Sequence, residues 1–194
     1  MSTFDPFLGE LSDDSLARAI VCSWERTPET TRELGASWYP AHAELLRGYW
    51  PDHPQRALGI AAALSPRAKW AVNLAWSRRV IDAYLAGDAE PPRVSTEKNR
   101  AKAWRIAQGE YPLAVLRGPK VRSFYRNLRG SQVAVTVDVW AARAAGLDMP
   151  DGKSLTDKQY AELQRAYRRA ARAVGTDPRH LQASTWINER GSAE

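Results

Sequence analysis

One run of β-branched residues, at positions 133–137 (VAVTV), is the feature of the sequence that most limits its fold. Valine and threonine favour strands over a run of this length. No second run of similar character occurs in the chain, and an isolated strand cannot pair its own backbone N–H and C=O groups. We therefore interpret the run as an extended connector buried between helices, and the sequence predicts an all-α fold.

Helical periodicity covers most of the remaining chain. In the stretch DDSLARAIVCSWER, Leu16, Ile20 and Trp24 recur at four-residue steps, which places them on one face of a helix. Similar patterns, bounded by capping residues, glycines and prolines, predict the other helices. The main predicted helices cover residues 13–26, 29–50 with an interruption at Pro40, 54–64, 65–86, 95–108, 156–174 and 178–190.

Two serines are predicted to cap helices in the middle of the chain. Ser65, followed by Pro66 in the first turn, is placed to begin the longest central helix, and Ser95 is placed to begin the next one. A long loop is predicted over residues 147–154. We expect all the helices to pack into a single globular domain over residues 1–194.

The charge of the chain favours a polyanionic partner. Lysine and arginine number 28 against 22 aspartates and glutamates, which gives a formal net charge of +6 and an isoelectric point near 9.7. A charge of this sign is typical of proteins that bind nucleic acid. Charge alone does not separate nucleic acid from an acidic membrane, but the longest apolar runs are far too short to cross a bilayer. We expect a soluble, cytoplasmic protein associated with the nucleoid.

Cysteine and histidine usage argues against metal chemistry. The single cysteine, Cys22, excludes an internal disulfide and any site built from cysteines alone. The three histidines, His42, His53 and His180, are scattered without the spacing of metal ligands. The sequence therefore predicts a function that uses neither a metal nor another cofactor.

The stretch LRGPK combines a tight turn with a helix start. Gly118 can adopt backbone angles closed to other residues, and Pro119 suits the first position of a helix. Backbone N–H groups at such a start can hold an anion such as a DNA phosphate. Lys120 falls in the first turn, where a partly buried amine is a potential nucleophile. The alternative is that Lys120 is a plain phosphate contact or a surface charge.

Asp138 follows the VAVTV run and precedes VWAARAAG, a short helical pattern. An aspartate at this place is predicted to cap the helix through its side-chain oxygens. Capping and a catalytic role are compatible, so both interpretations of Asp138 stay open at this point.

A second basic feature lies near the C-terminus. In DKQYAELQRAYRRAARAVG, four arginines recur at positions that gather on one helix face: Arg165, Arg168, Arg169 and Arg172. No acid interleaves them, so their mutual repulsion would be relieved by a phosphate backbone. A solvated face without a ligand is the alternative interpretation of this arginine stripe.

These features together resemble the helix-hairpin-helix DNA glycosylases, the superfamily that includes endonuclease III and the oxoguanine glycosylases. The resemblance covers residues 57–146, with a hairpin lysine at Lys120 in LRGPK and an aspartate 18 residues later at Asp138 in VTVDVW. The stretch ALSPRAKWAVNLAWSR resembles the helix start that carries the residue wedged into the gap left by a flipped base. That residue would be Arg67.

The resemblance implies a base-excision enzyme that acts as a monomer on double-stranded DNA. Such an enzyme extrudes the target nucleotide, because the sugar carbon is inaccessible in the stack. Lys120 would attack that carbon, Asp138 would stabilise the positive charge on the sugar, and the backbone near Gly118 would hold a phosphate. The remaining residues implied to contact DNA are Arg117, Pro119, Arg67 and the arginine stripe. Trp140 and Trp70 are the tryptophans nearest the matched elements, so either could stack on the extruded base.

The sequence also departs from the family pattern. The family hairpin usually carries two glycines separated by one residue, whereas Leu116 precedes Arg117 and Gly118 here. Trp140 stands where the family commonly has a histidine, and the four-cysteine cluster of some members is missing. Two alternatives therefore remain open. One is an enzyme of the kind that bacteriophages use to alter thymine-derived bases, and the other is a helix-hairpin-helix DNA-binding module without chemistry.

Overall fold

The computed structural model describes residues 13–149 and 155–193, and the described chain is all-α. No strand occurs among these residues, which confirms the predicted fold class. Most of the predicted loop, residues 150–154, lies outside the described residues. The helices are α1 Asp13–Arg26, α2 Glu29–Tyr49, α3 Pro54–Leu64, α4 Trp70–Leu85, α5 Glu97–Ala107, α6 Pro112–Val115, α7 Pro119–Leu128, α8 Val139–Ala144, α9 Asp157–Val174 and α10 Pro178–Arg190.

Packing divides the chain into two compact units. Unit 1 is built from the N-terminal residues up to Trp38 together with residues 131–193, and unit 2 is the continuous segment 39–130. Helix α2 begins in unit 1 and continues in unit 2. The prediction of one domain over the whole chain stays a prediction.

Unit 2 is organised around α3, the helix Pro54–Leu64. Its sequence PQRALGIAAAL is apolar on every side after the first turn, and residues 57–64 are all buried. A helix that is apolar all round needs neighbours on all sides, and α3 packs against α4, α5, α6 and α7. Gly59 makes the approach of α6 possible, because a Cβ at that position would lie 2.7 Å from Cγ of Pro112.

Unit 1 has its own hydrophobic core. The core is formed mainly by the apolar faces of α1 and α9, which pack along each other, and α8 and α10 close it. Leu16 and Ile20, predicted to share a face, are both fully buried in this core. The N-terminal part of α2 is held close to α10 at Gly35, where an added Cβ would lie 2.6 Å from the backbone N of Ser184.

Residues 134–137 of the VAVTV run form a buried connector of unit 1, as predicted, whereas Val133 lies in a bend and is exposed. Side chains of α9 satisfy the backbone of the connector. The Tyr160 hydroxyl accepts a hydrogen bond from the backbone N–H of Val137 (3.0 Å) and donates one to the carbonyl of Val135 (3.1 Å). One turn further along α9, the Gln164 amide donates to the same carbonyl at 2.9 Å. These side chains supply the partners that a neighbouring strand would give in a sheet.

The predicted interruption of α2 at Pro40 is wrong. The helix runs without a break from Glu29 to Tyr49 with Pro40 inside it. A proline in a helix loses one backbone hydrogen bond and strains the preceding turn. Here Trp38 and Tyr39 before the proline and Ala43 after it are buried, so burial of this side of the helix offsets that cost.

The predicted start of the central helix at Ser65 is also wrong. Ser65 ends α3, because both its N–H and its hydroxyl donate to the carbonyl of Ala62. The chain then turns through Arg67, whose φ of 61° lies in the left-handed region, and α4 begins only at Trp70. Asn73 of α4 returns to donate to the carbonyl of Ala61 at 3.0 Å.

The predicted cap of the following helix is displaced by one residue. Ser95 has a φ of 51° and stands before the cap. The capping residue of α5 is Thr96, whose side chain accepts from the backbone N–H of Asn99. Serine and threonine side by side offer equivalent capping oxygens, and the left-handed backbone at Ser95 leaves the cap position to Thr96.

Candidate functional site

The hairpin of unit 2 is formed by α6, residues 116–118 and α7. Gly118 has φ 81° and ψ 144°, backbone angles that are essentially reserved for glycine. Pro119 follows at the first helical position. The local prediction of a glycine turn into a helix is therefore confirmed, and it places Lys120 in the first turn of α7.

Arg122, for which the sequence predicted no role, stabilises this hairpin. The Arg122 guanidinium donates to the carbonyls of Leu113 (2.9 Å) and Leu116 (3.3 Å), at the end of α6 and in the hairpin. Carbonyls at a helix end lack amide partners within the helix, so a cation there satisfies them and interacts favourably with the helix dipole. The bond also ties the first turns of α7 back onto α6, which fixes the turn between them.

The hairpin surface is basic and solvent-exposed. Arg117, Gly118, Pro119 and Lys120 are all exposed, whereas Leu116 is fully buried beneath them. The partial burial that was expected for Lys120 is therefore wrong. The sequence contains no acid between Glu110 and Asp138, so no carboxylate along this stretch offsets its cations.

Asp138 lies in unit 1, where it caps α8 as predicted. Its Oδ1 accepts from the backbone N–H groups of Trp140 (3.1 Å) and Ala141 (3.0 Å). Its Oδ2 accepts from the indole N–H of Trp186 on α10 at 3.2 Å. Three N–H donors thus hold the carboxylate, and the contact with Trp186 was not foreseen from the sequence.

A buried tyrosine lies next to the Asp138 cap. Tyr167 of α9 is fully buried, and its hydroxyl donates to the carbonyl of Ala141 in α8 at 2.8 Å. Burial raises the pKa of Tyr167, and the charge of Asp138 acts in the same direction. The Tyr167 hydroxyl therefore stays protonated and fixes α8 to α9.

The tryptophans predicted for a base pocket have different surroundings. Trp70 lies in unit 2 with its ring edge-on to His42 and Phe124, at centroid distances of 5.0 and 5.8 Å. Trp140 lies in unit 1, and the guanidinium of Arg143 stands 4.6 Å from its ring centroid. Both rings are half-buried, so each keeps part of its surface accessible.

Two arginines of the α9 stripe make contacts with other segments of unit 1. Arg168 donates to the carbonyl of Val133 in the connector at 3.1 Å. Arg169 forms an ion pair with Asp14 of α1. No acid is interleaved in the stripe itself, but Asp14 of another helix offsets the charge of Arg169. Arg165, Arg169 and Arg172 are exposed, and Arg168 is half-buried.

Arg67 lies in the loop that precedes α4 of unit 2, and its side chain is exposed. The backbone N–H of Ala68 donates to the carbonyl of Ser65 at 3.3 Å, which makes residues 65–68 a turn. Arg67 occupies the position in this turn where a positive φ normally selects glycine or asparagine. An arginine there is strained by the left-handed backbone.

Several other arginines are used inside the protein. In each case the guanidinium donates to a carbonyl at or beside the C-terminal end of another helix, as Arg122 does. These arginines and their acceptors are Arg32 with Trp24, Arg47 with Leu128 and Arg56 with Ala107. Part of the positive charge counted in the sequence is therefore structural.

The predicted residues divide between the two units. Unit 2 brings together Arg117, Gly118, Pro119 and Lys120 in one hairpin, and it also contains Arg67 and Trp70. Unit 1 contains the other predicted residues: Asp138, Trp140, Arg165, Arg168, Arg169 and Arg172. The α8 cap joins Asp138 to the backbone N–H of Trp140.

No group of three or more histidine, cysteine, aspartate or glutamate side chains within residues 13–149 and 155–193 could hold a metal ion. In the same part of the chain, no helix is long and apolar enough to cross a membrane.

Comparison with known proteins places the sequence in a family. Residues 8–193 match the family of unknown function DUF7178, a match that spans both units. The chain belongs to the DUF7178 family. No curated protein and no solved structure matches it. For this DUF7178 protein, the hairpin and the Asp138 cap are the features that bear on function.

Proposed function

We propose that this DUF7178 protein is a DNA glycosylase with associated lyase activity at abasic sites, and that Lys120 is its nucleophile. The observation that carries the proposal is the hairpin of unit 2. A glycine with φ 81°, braced by Arg122, leads directly into a helix whose first turn presents an exposed lysine. A rigid turn with an exposed amine beside backbone N–H groups suits attack on a sugar next to a bound phosphate.

The chemistry needs one amine and one carboxylate. The Lys120 amine would form a bond to the sugar C1′ while the glycosidic bond breaks and the base leaves with the bonding electron pair. The departing base takes up the proton that the new secondary amine loses. Opening of the sugar ring, whose O4′ takes up a proton from water, gives a Schiff base. Loss of a C2′ proton then expels the 3′ phosphate by β-elimination and nicks the strand. Asp138 is proposed to stabilise the positive charge that develops on the sugar, as the family resemblance implies.

The DNA contacts are proposed to come from exposed cations. Arg117 and the backbone at Gly118 would hold the phosphate beside the target nucleotide. Arg165 and Arg172, which are exposed members of the arginine stripe, would add contacts to the backbone. Arg67 would enter the gap left by the flipped base, a role that accounts for an arginine at a strained turn position.

Borohydride trapping tests this function. The protein is mixed with duplex DNA that carries an abasic site, and reduction converts any Schiff base into a stable protein–DNA adduct. We expect an adduct with the wild-type protein and none with Lys120→Ala. The matched control is Lys98→Ala, because Lys98 is also an exposed lysine at the second position of a helix in unit 2. Loss of the adduct in both variants, or in neither, contradicts Lys120 as the nucleophile.

The substrate is tested with a panel of duplexes that each carry one modified base. The panel includes oxidised purines, oxidised pyrimidines and thymine derivatives extended at the 5-methyl group. Release of one of these bases by the wild-type protein, but not by Asp138→Asn, supports glycosylase activity. Trapping on abasic DNA without release of any base would restrict the function to the lyase step.

A second candidate is a helix-hairpin-helix DNA-binding module without chemistry. The Asp138 carboxylate favours it, because the α8 cap and the Trp186 indole already engage both of its oxygens. This module would bind duplex DNA through the hairpin with a strong dependence on salt. Binding that is weakened by Arg117→Ala, with no adduct from the wild-type protein, supports the module over the enzyme.

A further inference from the structure

The Asp138 carboxylate is held from two sides. The backbone at the start of α8 supplies two N–H donors to Oδ1, and α10 supplies the Trp186 indole N–H to Oδ2. Capping engages one oxygen only. The indole N–H engages the second oxygen and adds a restraint on rotation about the Cβ–Cγ bond, because an indole has a single donor and directs it along one line.

The Trp186 ring is itself held in place by its neighbours in unit 1. Trp38 packs edge-on against it, with ring centroids 5.7 Å apart and planes at 65°. The Arg190 guanidinium stands 5.1 Å from the ring centroid. An edge-on aromatic contact and a cation over the ring face are both favourable arrangements. They fix the ring plane and therefore the direction of the N–H toward Asp138.

We infer that Trp186 is a positioning residue that sets the orientation of the Asp138 carboxylate for base excision. This role rests on the proposed function of Asp138, and it assigns a purpose to α10 that the sequence did not suggest. Positioned acceptors and donors contribute most when their geometry is fixed before the charge develops. Loss of the indole N–H then weakens transition-state stabilisation while the fold and the DNA contacts remain.

A pair of tryptophan variants tests the inference. Trp186→Phe keeps an aromatic ring but removes the donor to Asp138. Trp38→Phe is the matched control, because it keeps an aromatic ring against Trp186 and removes only an indole N–H that is donated to the carbonyl of Ala193. We expect Trp186→Phe to lower the single-turnover rate of base release or adduct formation about tenfold, the loss expected for one hydrogen bond to a charged group. The Kd for duplex DNA should stay within about twofold, and Trp38→Phe should keep the wild-type rate.

A donor-restoring variant and a spectroscopic measurement separate positioning from folding. Trp186→His, which restores a ring N–H, should recover part of the rate. Relative to the wild-type protein, the Asp138→Asn variant should show the indole N–H resonance of Trp186 shifted upfield and in faster exchange with water. The Trp38 resonance should stay where it is. The resonance measurement needs neither DNA nor activity, so it applies even if Trp186→Phe does not fold.

The outcomes distinguish this inference from the proposed function. An equal fall in rate for both tryptophan variants indicates a packing effect and overturns the inference. A Trp186 indole N–H resonance that is unchanged in Asp138→Asn overturns it as well. An active wild-type enzyme with an unchanged rate in Trp186→Phe overturns the inference alone. A wild-type protein that forms no adduct and releases no base overturns the proposed function, and the positioning role is refuted with it.

Discussion

Replacement of Tyr160 by phenylalanine tests how the connector of unit 1 is held. The change removes one hydroxyl and keeps the buried ring. That hydroxyl accepts from the backbone N–H of Val137 at 3.0 Å and donates to the carbonyl of Val135 at 3.1 Å. The two bonds differ in what their loss leaves behind. The Val135 carbonyl keeps its bond from Gln164 at 2.9 Å, whereas the N–H of the buried Val137 loses the hydroxyl that accepts from it.

The magnitude follows from that difference. A buried donor left unsatisfied costs about 1–3 kcal/mol, and a lost bond whose acceptor keeps another partner costs about 0.5–1.5 kcal/mol. We therefore expect Tyr160→Phe to lower the free energy of unfolding by about 2–4 kcal/mol. Gln164→Leu should cost only about 1 kcal/mol, because Tyr160 still serves the carbonyl. The loss of unfolding free energy in the double variant should exceed the sum of the two single losses by about 1 kcal/mol or more, since only the double variant removes both of these donors from the Val135 carbonyl.

Urea unfolding followed by circular dichroism measures these free energies, and hydrogen exchange of the Val137 amide reports on the connector itself. Exchange at this amide should accelerate at least about tenfold in Tyr160→Phe, which corresponds to about 1.4 kcal/mol of local stability. Tyr111→Phe is the control, because Tyr111 is 56% exposed and its hydroxyl should contribute within about 0.5 kcal/mol. A change below about 0.5 kcal/mol in Tyr160→Phe, with unaltered exchange at Val137, would refute the view that α9 replaces a partner strand.

Four further predictions concern single positions. Gly35→Ala should cost about 3 kcal/mol or more in urea unfolding, because its Cβ would meet the backbone of Ser184 at 2.6 Å, and the same change at the open Gly48 should be far milder. Gly118→Ala should cost about 1–3 kcal/mol through its positive φ alone, since no atom within 4 Å opposes the new Cβ. Arg67→Gly should raise the melting temperature, because glycine relieves the strain of the left-handed backbone, and it should weaken binding to DNA with a flipped base. A variant that loses both thermal stability and DNA binding would contradict this assignment. Burial raises the pKa of Tyr125 to about 12, so its contribution to stability is complete below pH 10 and decreases as the pH approaches 12. As the pH rises from 10 toward 12, the free energy of unfolding of Tyr125→Phe, measured by urea unfolding, should therefore fall by about 2 kcal/mol less than that of the wild-type protein.

The helices were predictable where local signals act alone. Thr156 before α9 forms a capping box with Gln159, and Asp177 before α10 caps that helix through the N–H of His180. Residues 156–174 and 178–190 were accordingly predicted almost to the residue. The connector was also predictable, because the absence of a partner run is a property of the whole sequence. Its hydrogen-bond partners on α9 were not, since they depend on how two distant segments pack.

The wrong predictions arose where packing or a competing contact overrode a local signal. Ser65 and Pro66 form a proper helix start by composition, but the end of α3 competes for the serine and takes it. Pro40 is a helix breaker by propensity, and burial of α2 overrides that propensity. The contact between Trp186 and Asp138 gave no signal in the sequence, because an indole N–H shows its acceptor only in three dimensions.

The distribution of positive charge sharpens the case for the hairpin over the rest of the surface. Arginines that serve helix-end carbonyls, such as Arg122, contribute little to a DNA interface because their donors are already engaged. The same holds for Arg168 and Arg169 in the arginine stripe. Between Glu110 and Asp138 no acid offsets the cations, and the cations at both ends of α7 are exposed. The hairpin therefore presents exposed cations in a stretch of sequence without acids, next to the one lysine in that stretch, and this coincidence makes Lys120 the first residue to test.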